Sequence, residues 1–131
     1  MSIARLSDLS DVSTCRRLVV KVGSALLVGK DGKPRQAWIE TLVAEIAQAA
    51  ARGQDVVIVS SGAVALGAAK LGFEKGGRAS LSDAQAAAAV GQIALAGLWS
   101  DLLGRHGITA AQLLLTLEDF EGFDRPSRPR V

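Results

Sequence analysis

Tyrosine is absent from the 131 residues, and aromatic side chains amount to only 4%. Any core must therefore be built from Ala, Leu, Val and Ile. A single cysteine, Cys15, excludes an internal disulfide framework and a thiolate zinc site, and it fits a reducing compartment. A formal net charge of +2 is too small for a nucleic-acid footprint. No uninterrupted apolar run approaches the roughly 18 residues of a membrane span, because Asp, Gln and Gly break even the Ala-rich region. The opening MSIARLSDLSDVST carries two Asp and no apolar core of a leader, so it does not read as a secretory signal. These absences point to a soluble, cytoplasmic protein without membrane or nucleic-acid partners in this segment.

What is present alternates between strand-like and helix-like patterns, the mark of an α/β domain with a mostly parallel sheet. Leu18–Val22 reads as a strand covered on both faces, and Val56–Ser60 as a second. Between them lies a connection, GKDGKPRQ, with a tight turn at Asp31-Gly32. An amphipathic helix follows it, placing Trp38, Ile39, Leu42, Val43, Ile46 and Ala50 on one face and stopping at Gly53. The second strand runs straight into the helical AVALGAAKLG. After the polar Phe73 to Ser80, a long helix is expected from Ser82, with Gln85 completing a capping box, to Gly107. Ile108–Thr116 reads as a third strand, parallel to the others. There is no internal repeat.

Familiar nucleotide motifs fail on inspection. A P-loop needs four residues between its glycines, whereas five separate Gly23 from Gly29, and Asp31 stands where a hydroxyl is required. No G-x-G-x-x-G follows either strand, and G-x-S-x-G is absent. The one histidine, His106, sits beside a helix end, where it reads as a favourable charge on the dipole.

Two strand ends remain. Lys21 interrupts an apolar strand, and a buried unpaired ammonium is costly, so it must emerge into solvent or meet an anion. Gly23 follows, without a Cβ to keep a ligand away from the backbone, and Ser24 offers a donor. At the second strand, Ser60-Ser61-Gly62-Ala63 leads into a helix. Its serines are N-cap candidates, and its first N–H groups carry the positive end of the dipole. In open α/β sheets, ligands bind outside the carboxyl ends of strands, and parallel pairing sets these two ends side by side. Such equipment suits phosphoryl transfer to a carboxylate. An acceptor with a pKa of about 4.3 is ionised at pH 7 and needs no general base; the protein need only neutralise charge and align two anions.

The segments VVKVGSALL, VIVSSGAVALG, AAVGQ and QLLLT, in this order and spacing, resemble the N-terminal part of the glutamate 5-kinase branch of the amino acid kinase family. The lysine-glycine turn is shared widely in that family, and SSGAVALG is the more specific element. The resemblance runs from about Arg17 to about Asp119. It leaves residues 1–16 as an N-terminal extension and 120–131 as an atypical tail, FEGFDRPSRPRV. It implies a three-layer α/β/α sandwich with a mostly parallel sheet, here incomplete. It also implies that Lys21 is catalytic and contacts the ATP phosphates, that Gly23 and Ser24 form the phosphate-side turn, and that Ser61, Gly62 and Ala63 bind substrate. ATP and Mg²⁺ would be used to convert L-glutamate to L-glutamyl 5-phosphate, the first step of proline synthesis, with proline as a feedback inhibitor and a homo-oligomeric assembly. No protein metal ligand is implied in this segment.

The second phosphate-binding lysine, the adenine-binding segment and the Asp/Asn substrate segment of that branch have no counterpart here. The arginine-proline tail has the character of a truncated or frame-shifted product. On that expectation the isolated chain associates, leaves the helix face of Leu95, Leu98 and Leu102 short of partners, and phosphorylates nothing. The alternatives are an amino acid kinase with another acceptor and a non-catalytic assembly module.

Overall fold

The computed structural model describes residues 3–115 and 119. Two six-residue strands, β1 (Arg17–Val22) and β2 (Asp55–Ser60), pair in parallel, with Lys21 opposite Val59 and Val22 opposite Ser60. A parallel pair needs a long crossover. Here it consists of α1 (Ser24–Leu27), a hairpin closed by a Val28–Pro34 bridge, and α2 (Gln36–Ala51). The expected Asp31-Gly32 turn is the tip of that hairpin: Gly29 N–H donates to Lys33 O at 2.8 Å and Gly32 N–H to Gly29 O at 3.0 Å. The short α1 was hidden in the sequence inside what reads as strand and loop.

β2 leads into α3 (Ala63–Leu71), and after a 3-10 turn at Glu74–Gly77 comes the long α4 (Leu81–Gly104). α2 packs on β2 and α4, while α3 lies along α4. The core is Val22, Leu27, Ile39, Val43, Ile46, Leu66, Leu95, Trp99, Leu102 and Leu103, joined by Val20, Val56 and Ile58 from the sheet. Full burial of an aliphatic side chain such as Leu27, Ile39 or Val43 contributes about 1.5–3 kcal/mol. The three long helices end alike. Gly53, Gly72 and Gly107 take φ of +87°, +67° and +71°. The next residue's N–H reaches back five residues: Gln54 to Ala49, Phe73 to Ala68 and Ile108 to Leu103. This left-handed stop satisfies carbonyls that would otherwise be orphaned.

Several expectations are corrected. The strands are covered on one face only: Val19, Val57 and Val59 are 60%, 43% and 50% exposed, because α2 and α4 both lie on the opposite side. Residues 108–115 form no strand, and Thr116 lies outside the described residues; the sheet there is β1-β2 alone, and Leu113 to Leu115 are exposed. The cap of α4 is Ser80, not Ser82: its hydroxyl accepts the Asp83 N–H at 3.0 Å from extended backbone. Leu95 and Leu102 are fully packed rather than short of partners, and on α2 Ala49 is buried where Ala50 was expected. α4 is long and apolar enough, by length and composition, to cross a bilayer. Leu95, Trp99, Leu102 and Leu103 go into the core and Ala87 and Gly91 lie against α3, while Leu81 and Ile93 stay exposed.

Candidate active site at the carboxyl ends of the strands

The two strand ends flagged in the sequence meet. Register sets Val22 beside Ser60, and one residue further Ser61 folds back onto β1: its N–H donates to Val22 O at 3.0 Å, and its hydroxyl lies 3.4 Å from the same oxygen. Ser61 therefore joins the Lys21-Val22-Gly23 turn to the turn that starts α3.

Lys21 occupies the open face of β1, exposed, with no salt bridge among the described residues. The strand's alternation turns the ammonium out beside Val19, not into the core. Gly23 caps α1 in extended backbone, φ −74° and ψ 156°, and a Cβ built there meets nothing within 4 Å. Nothing within the fold demands glycine at this point; the space in front of it stays free for backbone approach by another molecule. Ser24 opens α1, with its carbonyl accepting the Val28 N–H at 2.8 Å.

On the other side, neither serine caps α3. Gly62 does, at φ +121°, and its carbonyl accepts the Leu66 N–H at 3.0 Å. That angle is open to glycine and strained for other residues, and a Cβ would also come within 2.8 Å of Leu27 Cδ2. Because the cap has no side chain, the N–H groups of Ala63, Val64 and Ala65 have neither a capping oxygen nor a carbonyl one turn back in the helix. They form the positive end of a nine-residue helix, a place suited to an anion.

Two contacts came with no warning from the sequence. The indole of Trp99, on α4, donates to Ser60 Oγ at 3.1 Å, and Ser60 Oγ donates to Ser61 O at 3.3 Å. Gly91 and Gly67 bring α4 against α3 so closely that a Cβ on Gly91 would overlap the Ala63 carbonyl, and one on Gly67 the Ala87 carbonyl. The Ala-Gly density of α4 signalled close packing in general, but not its target.

A lysine beside a glycine turn, and a helix N-terminus stitched to it, together form a surface that can hold two anionic groups next to each other. Comparison with known proteins gives the family. The model of the amino acid kinase family matches residues 16–130. The chain belongs to the amino acid kinase family. It is 70% identical over 121 residues to a glutamate 5-kinase of Novosphingobium aromaticivorans, covering 92% of this chain and 32% of that protein. It is 59% identical over 109 residues to the glutamate 5-kinase of Sphingopyxis alaskensis, covering 83% and 30%. Against that of Zymomonas mobilis the figures are 51% over 107 residues, 82% and 27%. The chain thus spans about a third or less of the length of these curated relatives. The parallel sheet with flanking helices is an incomplete form of the α/β architecture expected of this family.

Proposed function

We propose that residues 17–119 are the phosphate- and glutamate-facing part of a glutamate 5-kinase, a phosphotransferase with a carboxylate acceptor. The observation that carries this reading is the Ser61–Val22 stitch, which sets a lysine-glycine turn and a helix N-terminus side by side. In the reaction, a side-chain carboxylate oxygen of L-glutamate attacks the γ-phosphorus of ATP, the bond to the β–γ bridging oxygen breaks, and ADP departs with that oxygen. The acceptor is already ionised, so no proton needs to be removed. Lys21 is assigned to the phosphate oxygens, where its charge opposes the repulsion between two anions and stabilises the transferring group. Gly23 and Ser24 admit the phosphates close to the backbone. Ser61, with Gly62 and Ala63, is assigned to L-glutamate.

Among the described residues there is no cluster of three or more His, Cys, Asp or Glu side chains. These residues therefore do not fit a dedicated Mg²⁺ cage, and the ion this reaction uses would travel on the nucleotide's own oxygens. A place in proline synthesis belongs to the same proposal and is supported by the names of the relatives; feedback by proline, a homo-oligomeric state and a cytoplasmic location are proposed on the resemblance alone.

The test is a chimera. The matching segment of the Novosphingobium aromaticivorans relative is replaced by residues 1–119 of this chain, and L-glutamate-dependent ADP release is measured. Turnover within tenfold of the parent enzyme supports the reading. A chimera with the parent's oligomeric state and melting temperature but no ADP release overturns it.

A further inference from the structure

The Ser60–Ala63 turn has unusual geometry, and the contacts that hold it come largely from α4, an element that supplies none of the residues assigned above to ligands. Ser61 N–H is fixed by Val22 O, while Ser61 C=O accepts from Ser60 Oγ, which itself accepts the Trp99 indole N–H. The peptide joining Ser61 to Gly62 is thus gripped at its carbonyl end by a relay that starts in the core, since Trp99 is only 8% exposed. Eight residues earlier on the same helix, Gly91 lies against the carbonyl of Ala63, the last residue of the turn and the first of α3.

A serine hydroxyl rotates freely, and its single proton can serve only one acceptor at a time. The Trp99 indole can only donate, so it occupies a lone pair of Ser60 Oγ and leaves the hydroxyl proton for Ser61 O. Without the indole, that hydroxyl is free to turn toward water and the carbonyl loses its partner. We infer that Trp99 is a positioning residue: through Ser60 Oγ it sets the orientation of the Ser61–Gly62 peptide and so the direction of the N–H groups at the start of α3. The inference rests on the assignment of this turn to L-glutamate for its consequence, but not for its physical content.

The experiment uses this chain and amide hydrogen exchange at Ser61 and Leu66 for the coupling and at Gly62 and Ala63 for ligand protection, with the Asp55 amide, bonded to Arg16 O at the far end of the sheet, as internal reference. Trp99→Phe keeps the apolar ring and loses the donor; Ser60→Ala removes the relay without touching the core. Each should speed exchange at the bonded amides on either side of the turn, Ser61 (to Val22 O) and Leu66 (to Gly62 O), about fivefold, the equivalent of one net hydrogen bond, with Asp55 unchanged. The double variant should add nothing further, and Ser60→Thr, which restores a hydroxyl, should return exchange to within twofold of the wild type. Additive effects of the two substitutions, equal acceleration at Asp55, or no rescue by Ser60→Thr would overturn the inference. L-glutamate titrated into the wild-type chain separates it from the functional reading. If the coupling is present but millimolar L-glutamate protects neither Gly62 nor Ala63, the positioning role stands and the ligand assignment falls. If L-glutamate protects both amides and the coupling is absent, the reverse holds.

Discussion

Ser61 reaches back across the sheet to place its N–H 3.0 Å and its hydroxyl 3.4 Å from Val22 O. The first is a sound hydrogen bond and the second a marginal one. The backbone therefore holds the two turns together, and the hydroxyl is only loosely engaged. Ser61→Ala should cost less than about 1 kcal/mol of stability. In the chimera, its effect should fall on the L-glutamate KM, because losing a group that binds acceptor equally before and during transfer raises KM without lowering kcat. A rise in the ATP KM alone would show that the two turns have been assigned the wrong way round.

Lys21 carries the opposite expectation. Its side chain stands on an exposed face with no ion pair among the described residues, so the fold loses little when it is shortened. Lys21→Ala in the chimera should leave the melting temperature within about 2 °C while reducing kcat by about 10²-fold or more, the scale on which one charge-stabilising donor acts. An unchanged kcat would mean that the lysine merely reaches solvent.

Two glycines of α4 give a contrast within one helix. A Cβ on Gly91 overlaps the backbone of Ala63 and one on Gly97 meets nothing within 4 Å. Gly97→Ala should stabilise the chain by about 0.5–1 kcal/mol through helix propensity. Gly91→Ala gains the same propensity but forces α3 and α4 apart, at a net cost of about 1–3 kcal/mol in urea unfolding. Equal effects at the two positions would contradict the observed helix crossing.

Asp11 gives a local pH dependence. The Ser13 hydroxyl at 2.7 Å and the Ser13 N–H at 2.9 Å, then the Thr14 hydroxyl at 3.2 Å, hold its carboxyl below the ordinary 3.8. Lowering the folded pKa means that the turn is stabilised above about pH 4 and loses that contribution as the pH falls through the depressed value. Amide exchange at Ser13 should accelerate over that acidic range beyond its intrinsic rate. Asp11→Asn should flatten the response.

The legible parts of this fold were those written in local sequence. β1 and β2 declared themselves by short apolar runs, and the helix stops by Gly53 and Gly107, where a left-handed residue is needed. The Lys21-Gly23 and Ser61-Gly62 turns were found because special residue types sit at strand ends. Non-local facts were not legible. Ile108 to Leu115 has the composition of a strand, but a strand exists only through its partner, and composition does not name one. For the same reason an apolar run could not tell that one face of the sheet stays open. Ser80 and Ser82 carry the same capping chemistry two residues apart, and only the extended backbone at Ser80 decides between them. Trp99 offered no signal, since its indole proton finds Ser60 across 39 residues of sequence.

The open sheet face has a consequence for the chain in solution. Val19, Val57 and Val59 lie together on two paired strands, each about half exposed, and Leu81, Ile93 and Leu113 to Leu115 add apolar surface elsewhere. Among the described residues no further strand pairs with the outer edges of β1 and β2, which leaves edges suited to bonding another chain. A contiguous apolar patch flanked by free edges drives association, so the chain should elute from size-exclusion chromatography with an apparent mass that rises with loading concentration. Val57→Thr with Val59→Thr keeps β-branched side chains, and hence strand propensity, while adding hydroxyls to the open face. That double variant should shift elution toward the 13.5 kDa monomer without loss of far-ultraviolet circular dichroism. If its elution remains concentration-dependent to the same degree, the association runs through the exposed leucines instead, and Leu113→Ser with Leu115→Ser should then be the pair that abolishes it.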